Sequence, residues 1–154
     1  MATQDSKSIG QLQDLLSINI DSQKGFLEAS ENVKDSDLKT LFAEFSQKRA
    51  HNAAELRTLI SSAGEQPTNS GSLSGTVHRW WLDAKQALTG KDAKSILDEA
   101  ERGEDSIKKV YENALSSVNE SGARALVERQ YHNVMEGHDR VKTLRDSYHR
   151  NPRS

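Results

Sequence analysis

Glu101, Glu104 and His138 combine carboxylate and imidazole donors, the side-chain chemistry that holds a divalent metal ion or moves protons. Glu101 and Glu104 are three residues apart, one turn along a helix face. Leu97, Glu104, Tyr111 and Val118 recur every seventh residue and put Glu104 on an inward stripe; Val134 and Val141 bracket His138 in the same way. An inward carboxylate or imidazole is costly unless a partner or a metal compensates it. Other segments carry polar residues at the same level: Asn19, Ser22 and Gln23 between Leu16 and Phe26, and Arg49 and Asn52 between Phe45 and Leu56.

Counting ligands separates the two readings of this layer. A two-metal carboxylate centre in a helical bundle takes one Glu from each of two helices and a Glu-x-x-His pair from each of the other two. Here Met135 stands three before His138 and Lys48 three before His51, while Asp21, Glu28 and Glu31 fall off the inward stripe of their segment. The expectation is a structural polar layer of Asn19, Gln23, Arg49, Asn52, Glu104 and His138, in which Glu104 pairs with His138 or Arg49 and no cofactor is bound. The alternative is iron or another divalent metal held by Glu101, Glu104 and His138. No residue is assigned a catalytic role.

Other constellations have simpler meanings. His51 and Glu55, four apart, suit an exposed pair. His78, Arg79, Trp80 and Trp81 could stack on a ligand, but both Trp residues fit an apolar packing stripe. The glycine pattern of a dinucleotide fold is missing, and Gly90-Lys91 lacks the flanking residues of a phosphate loop.

The elements that must position these residues are helices. Apolar residues recur at spacings of three and four, and no stretch alternates with period two. Pro67 and Pro152, the two prolines, fall in breaks. The pattern predicts helices over 6-33, 36-63, 73-89, 92-119 and 122-149 with a disordered tail at 150-154, all in one domain, 1-154. Asp35 and Asp92 are N-caps, Gly64 stops the second helix, and Ser121-Gly122 breaks the third from the fourth. The long helices span about 28 residues, roughly 42 Å, and pack side by side. Tight turns make two hairpins, and the long link between them, with its short helix 73-89, can run back along the bundle and start the third long helix beside the second in the same direction. One crossover between two hairpins is the ferritin-like four-helix arrangement, all-α.

Composition narrows the function classes. With 21 Lys plus Arg against 23 Asp plus Glu and a formal net charge of -2, the chain offers no concentrated basic surface for nucleic acid. Without Cys there is no thiol catalysis, thiolate metal site or disulfide. Met1 to Gly10 is too polar for a secretory signal, and no apolar run is long enough to span a membrane, so a cytoplasmic protein is expected.

The chain resembles a bacterial ferritin-like four-helix-bundle family of unknown function. The likeness rests on Gly25-Phe26, Arg49-Ala50, Ala54-Glu55-Leu56, His78-Arg79-Xaa-Trp81 and Leu88-Thr89-Gly90 in the first half. It continues through Glu101-Arg102-Gly103-Glu104-Asp105, Val127-Glu128-Arg129-Gln130, His138-Asp139-Xaa-Val141 and Leu144-Arg145-Asp146. The resemblance implies the ferritin-like bundle, supports the crossover topology and implies a stress association without a settled reaction, while the incomplete ligand sets and balanced charge point to a protective or scaffolding role. Relatives often carry an acidic residue where Gln23 stands, which counts against a four-carboxylate site here. Three functions are carried forward, in order: a non-enzymatic bundle, expected to be a homo-oligomer; a metal-binding oxidase or iron-handling protein; and a module binding a protein or small ligand.

Overall fold

The computed structural model describes residues 6–68 and 93–150. Four helices fill these segments: α1 (Ser6–Asn32), α2 (Ser36–Ser62), α3 (Ala93–Ser117) and α4 (Ser121–Arg150). No strand occurs among the described residues. The short helix expected over 73-89, with Trp80 and Trp81, and the tail at 151–154 lie outside them.

Local chemistry sets four of the helix ends. The Asp35 carboxylate caps α2, accepting from Asp37 N at 2.9 Å and Leu38 N at 3.1 Å. At the other end of α2, Gly64 takes φ +84°, a conformation only glycine adopts freely. It lets Glu65 N–H reach Ile60 O and Gly64 N–H reach Ser61 O, which satisfies carbonyls that a helix end otherwise leaves open. Glu120 caps α4 through both carboxylate oxygens, at 3.0 Å from Gly122 N and 2.7 Å from Ala123 N. Arg124 reaches back across the same turn to the carbonyls of Leu115 and Val118, closing the end of α3.

Cross-helix contacts fix the topology. Ser8 bonds Ser117 and Asn19 bonds Tyr111, so α1 and α3 run antiparallel side by side. Arg129 to Glu55 and Tyr148 to Asp35 set α2 and α4 antiparallel. Hence α2 and α3 run in the same direction, as expected, but α3 lies beside α1 and across the diagonal from α2. A connection as long as 63–92 can span an edge or a diagonal, so its length decides direction and leaves the neighbour open.

The core falls into two apolar clusters. One gathers Leu12, Leu15, Leu16, Leu56, Ile60, Ile107, Tyr111, Ala114 and Val127; the other Phe26, Leu38, Phe42, Phe45, Leu97, Val141 and Tyr148. In the second, Phe26 stacks on Phe42 with ring centroids 5.6 Å apart and meets Phe45 edge-on at 5.2 Å. Among the described residues, no helix is long and apolar enough to cross a membrane.

Candidate functional site

Between the clusters lies a buried polar layer. Arg49 enters from α2 and Glu104 from α3, 2% and 0% exposed, and they meet across the bundle diagonal. One guanidinium nitrogen, Nη2, donates to Glu104 Oε1 at 2.7 Å and Oε2 at 2.6 Å. The rings of Phe26 and Phe45 flank the guanidinium, their centroids 6.0 and 5.8 Å from its carbon. Moving both charges from water costs several kcal/mol per ion, so the pair persists because its geometry and charge-assisted bonds offset that cost. Arg49 Nε and Ser22 Oγ are buried here without a hydrogen-bond partner.

A chain of bonds links all four helices beside the ion pair. Asn52 Nδ2 donates to Asn19 Oδ1 at 3.3 Å, and Asn19 Nδ2 to Tyr111 Oη at 2.8 Å. The Tyr111 phenol donates to Gln130 Oε1 at 2.8 Å, and Gln130 Nε2 returns to α2 at Asn52 O and Glu55 Oε1. Burial pushes the Tyr111 phenol up to about 12, against the smaller opposing pull of the Asn19 donor and the Arg49 charge. It therefore stays protonated and keeps its place as a donor. At the surface end, Arg129 grips Glu55 through two nitrogens and holds its carboxyl below the usual carboxylate range despite partial burial.

Asn19, Ser22, Arg49, Asn52 and Glu104 are thus brought together, while two expected members are not. Gln23 is half-buried, and it is its backbone carbonyl that serves the interior, accepting from Ser46 Oγ at 3.0 Å. His138 leaves the layer altogether. It sits 13% exposed between α3 and α4, its Nε2 2.6 Å from Asp105 Oδ1 and its Nδ1 3.5 Å from Asp139 Oδ1. So Glu104 pairs with Arg49 and not with His138, and Glu101, Glu104 and His138 do not converge. The reason is one residue: Val134 and Val141 can be joined through position 137 as well as 138, and Gly137 takes the inward position. A Cβ there would lie 3.1 Å from Glu104 Oε2, so the missing side chain makes room for the carboxylate.

The structure groups Glu101, Asp105 and His138 instead, with one donor atom of each within 4.8 Å of the others. Glu101 also pairs with Arg145, which contacts Asp146 at 3.1 Å and Asp98 at 4.0 Å. Asp105 was missed because it lies off the apolar stripe, where α3 faces α4 at the surface. Gln130 could have been found, since it stands midway between Val127 and Val134.

Residues 7–117 match a family described as Domain of unknown function (DUF2383). The chain belongs to this family. The matched span reaches the last residue of α3, and α4 follows it. Among solved structures, the fold is similar to a two-domain protein from Anabaena variabilis containing DJ-1/ThiJ/PfpI-like and ferritin-like domains, with a TM-score of 0.74 and 21% identity. The alignment covers 96% of this chain and 40% of that one, so this chain spans about two fifths of the neighbour's length. At that identity the likeness carries the fold alone, a ferritin-like four-helix bundle. No curated protein matches the sequence.

The two-metal centre that such bundles can hold does not fit these residues. Among the described residues Glu104 is the one fully buried carboxylate, and both its oxygens are taken by Arg49. The remaining buried polar groups at this level are amides, hydroxyls and a phenol, and the Arg49 guanidinium already supplies the counter-charge of Glu104.

Proposed function

We propose that this protein is a non-catalytic helical scaffold, of the kind that serves a structural or stress-associated role, with an interior polar layer devoted to holding four helices in register. The observation that supports this reading is the Arg49–Glu104 pair on the bundle diagonal, in which the one fully buried carboxylate among the described residues is already satisfied by a protein counter-charge. A buried ion pair contributes little net stability compared with apolar packing, yet it penalises every arrangement that separates the two charges. A slip of α3 along α1 by one turn, about 5.4 Å, would leave both charges buried and unpaired.

The test is aerobic Fe(II) addition to the full chain, followed by ultraviolet absorbance. Oxidation at the rate of buffer is the expected result. A saturable oxidation, faster than buffer and abolished by Glu104→Gln, would overturn the reading.

A further inference from the structure

We propose that Glu101, Asp105 and His138 form a surface site for a first-row divalent transition-metal ion in the groove between α3 and α4. This goes beyond the scaffold reading and is independent of it, because the site lies outside the interior layer.

The three donors come from a rigid frame. Glu101 and Asp105 are four apart on α3 and face the same way, and His138 meets them from α4. Their donor atoms lie within 4.8 Å of one another. Ions of this class bind imidazole nitrogen and carboxylate oxygen at about 2.0–2.2 Å, so the ligand atoms close to roughly 3.4 Å apart around a tetrahedral ion. Side-chain rotation covers that difference without moving either helix. His138 Nε2 and Asp105 Oδ1 already lie 2.6 Å apart, within hydrogen-bond distance, and the ion takes the place of the hydrogen between them.

A second feature concerns the other imidazole nitrogen. The Asp139 carboxylate lies 3.5 Å from His138 Nδ1. Metal-binding imidazoles commonly donate their second N–H to a carboxylate, which fixes the tautomer and strengthens the donor. With Nδ1–H turned toward Asp139 and the hydrogen between Nε2 and Asp105 displaced, the Nε2 lone pair is free for the ion. Carboxylates also outnumber the guanidinium they contact next to the group: Glu101, Asp98 and Asp146 share Arg145, and Asp139 lies against the imidazole.

The donor set selects the ion. One imidazole with two carboxylates and no thiolate suits zinc, cobalt or manganese better than calcium or magnesium, which take oxygen ligands, or copper(I), which takes sulfur. Asp105 is 50% exposed, so water completes the coordination shell. Arg145 competes with the ion, because its guanidinium holds Glu101 Oε2.

Cobalt(II) is the probe, titrated into the full chain and followed by its visible absorption bands, with circular dichroism checking the fold of each variant. Saturable binding of one ion per chain is expected. Asp105→Asn, an exposed and conservative change, should weaken it tenfold or more, and so should His138→Gln. Arg145→Gln should tighten it several-fold by freeing Glu101. Absence of saturable binding, or equal affinity in the wild type and a folded Asp105→Asn variant, overturns the site. Either result leaves the iron-oxidation test of the scaffold reading standing on its own.

Discussion

Replacing Gly137 by Ala tests how tightly the interior ion pair is seated. In an ordinary helix interior Gly→Ala stabilises by about 0.5–1 kcal/mol, because the backbone loses less freedom on folding. At position 137 the added Cβ would stand 3.1 Å from Glu104 Oε2 and 3.5 Å from the Phe45 ring. Glu104 cannot retreat easily, since both its oxygens are held by Arg49 at 2.6 to 2.7 Å and Arg49 is wedged between Phe26 and Phe45. Overpacking of this kind costs about 1–3 kcal/mol. Subtracting the helix gain leaves a net loss of about 1.3 kcal/mol, and for a chain of this size a midpoint lowered by about 2.5–5 °C. Gly10, on α1, is exposed and has nothing within 4 Å of the same Cβ position. Gly10→Ala should therefore stabilise by about 0.5–1 kcal/mol. Urea unfolding of both variants, followed by helical circular dichroism, measures the contrast. Equal stabilisation by the two substitutions would refute the claim that α4 is shaped around the Glu104 carboxylate.

Two further outcomes follow from the same layer. Arg49→Met alone should cost about 3–5 kcal/mol by leaving Glu104 charged and unpaired, whereas Arg49→Met with Glu104→Leu should cost far less; chemical unfolding of both variants decides it. Tyr111→Phe should flatten the alkaline limb of the stability curve. The unfolded phenol loses its proton near pH 10 and the folded one only near 12, so between those values the unfolded state binds fewer protons and stability falls as pH rises. Below pH 10 that contribution is complete, and a wild-type limb no steeper than that of Tyr111→Phe would contradict the buried-phenol geometry.

Much of the architecture could be read in the sequence because it depends on local rules. The apolar spacings, the carboxylate of Asp35 and the glycine at 64 each act within a few residues of themselves. The ferritin-like bundle and the parallel course of α2 and α3 follow from those signals and the lengths between them. What could not be read was which neighbour α3 takes, because a long link reaches either one. The layer was legible as a level but not as a set of partners. Asn19, Arg49, Asn52 and Glu104 sit on their apolar stripes and so announced themselves. His138 did not end inside because a helix face offers two adjacent positions, three and four residues on, and the smaller residue won the crowded one. Tyr111 reads as an apolar member of its heptad, yet its hydroxyl is the node through which the amides of α1 and α4 connect.

The bond from Tyr148 Oη to Asp35 Oδ2, at 2.6 Å, ties the end of α4 to the corner where α1 turns into α2. Asp35 meanwhile spends its other oxygen on the first amides of α2. One carboxylate thus fastens residues 113 positions apart and starts a helix at the same time. Fraying at the carboxyl-terminal turn is thereby transmitted to the amides of Asp37 and Leu38, whose solvent exchange becomes a remote gauge of how firmly the last helix is docked.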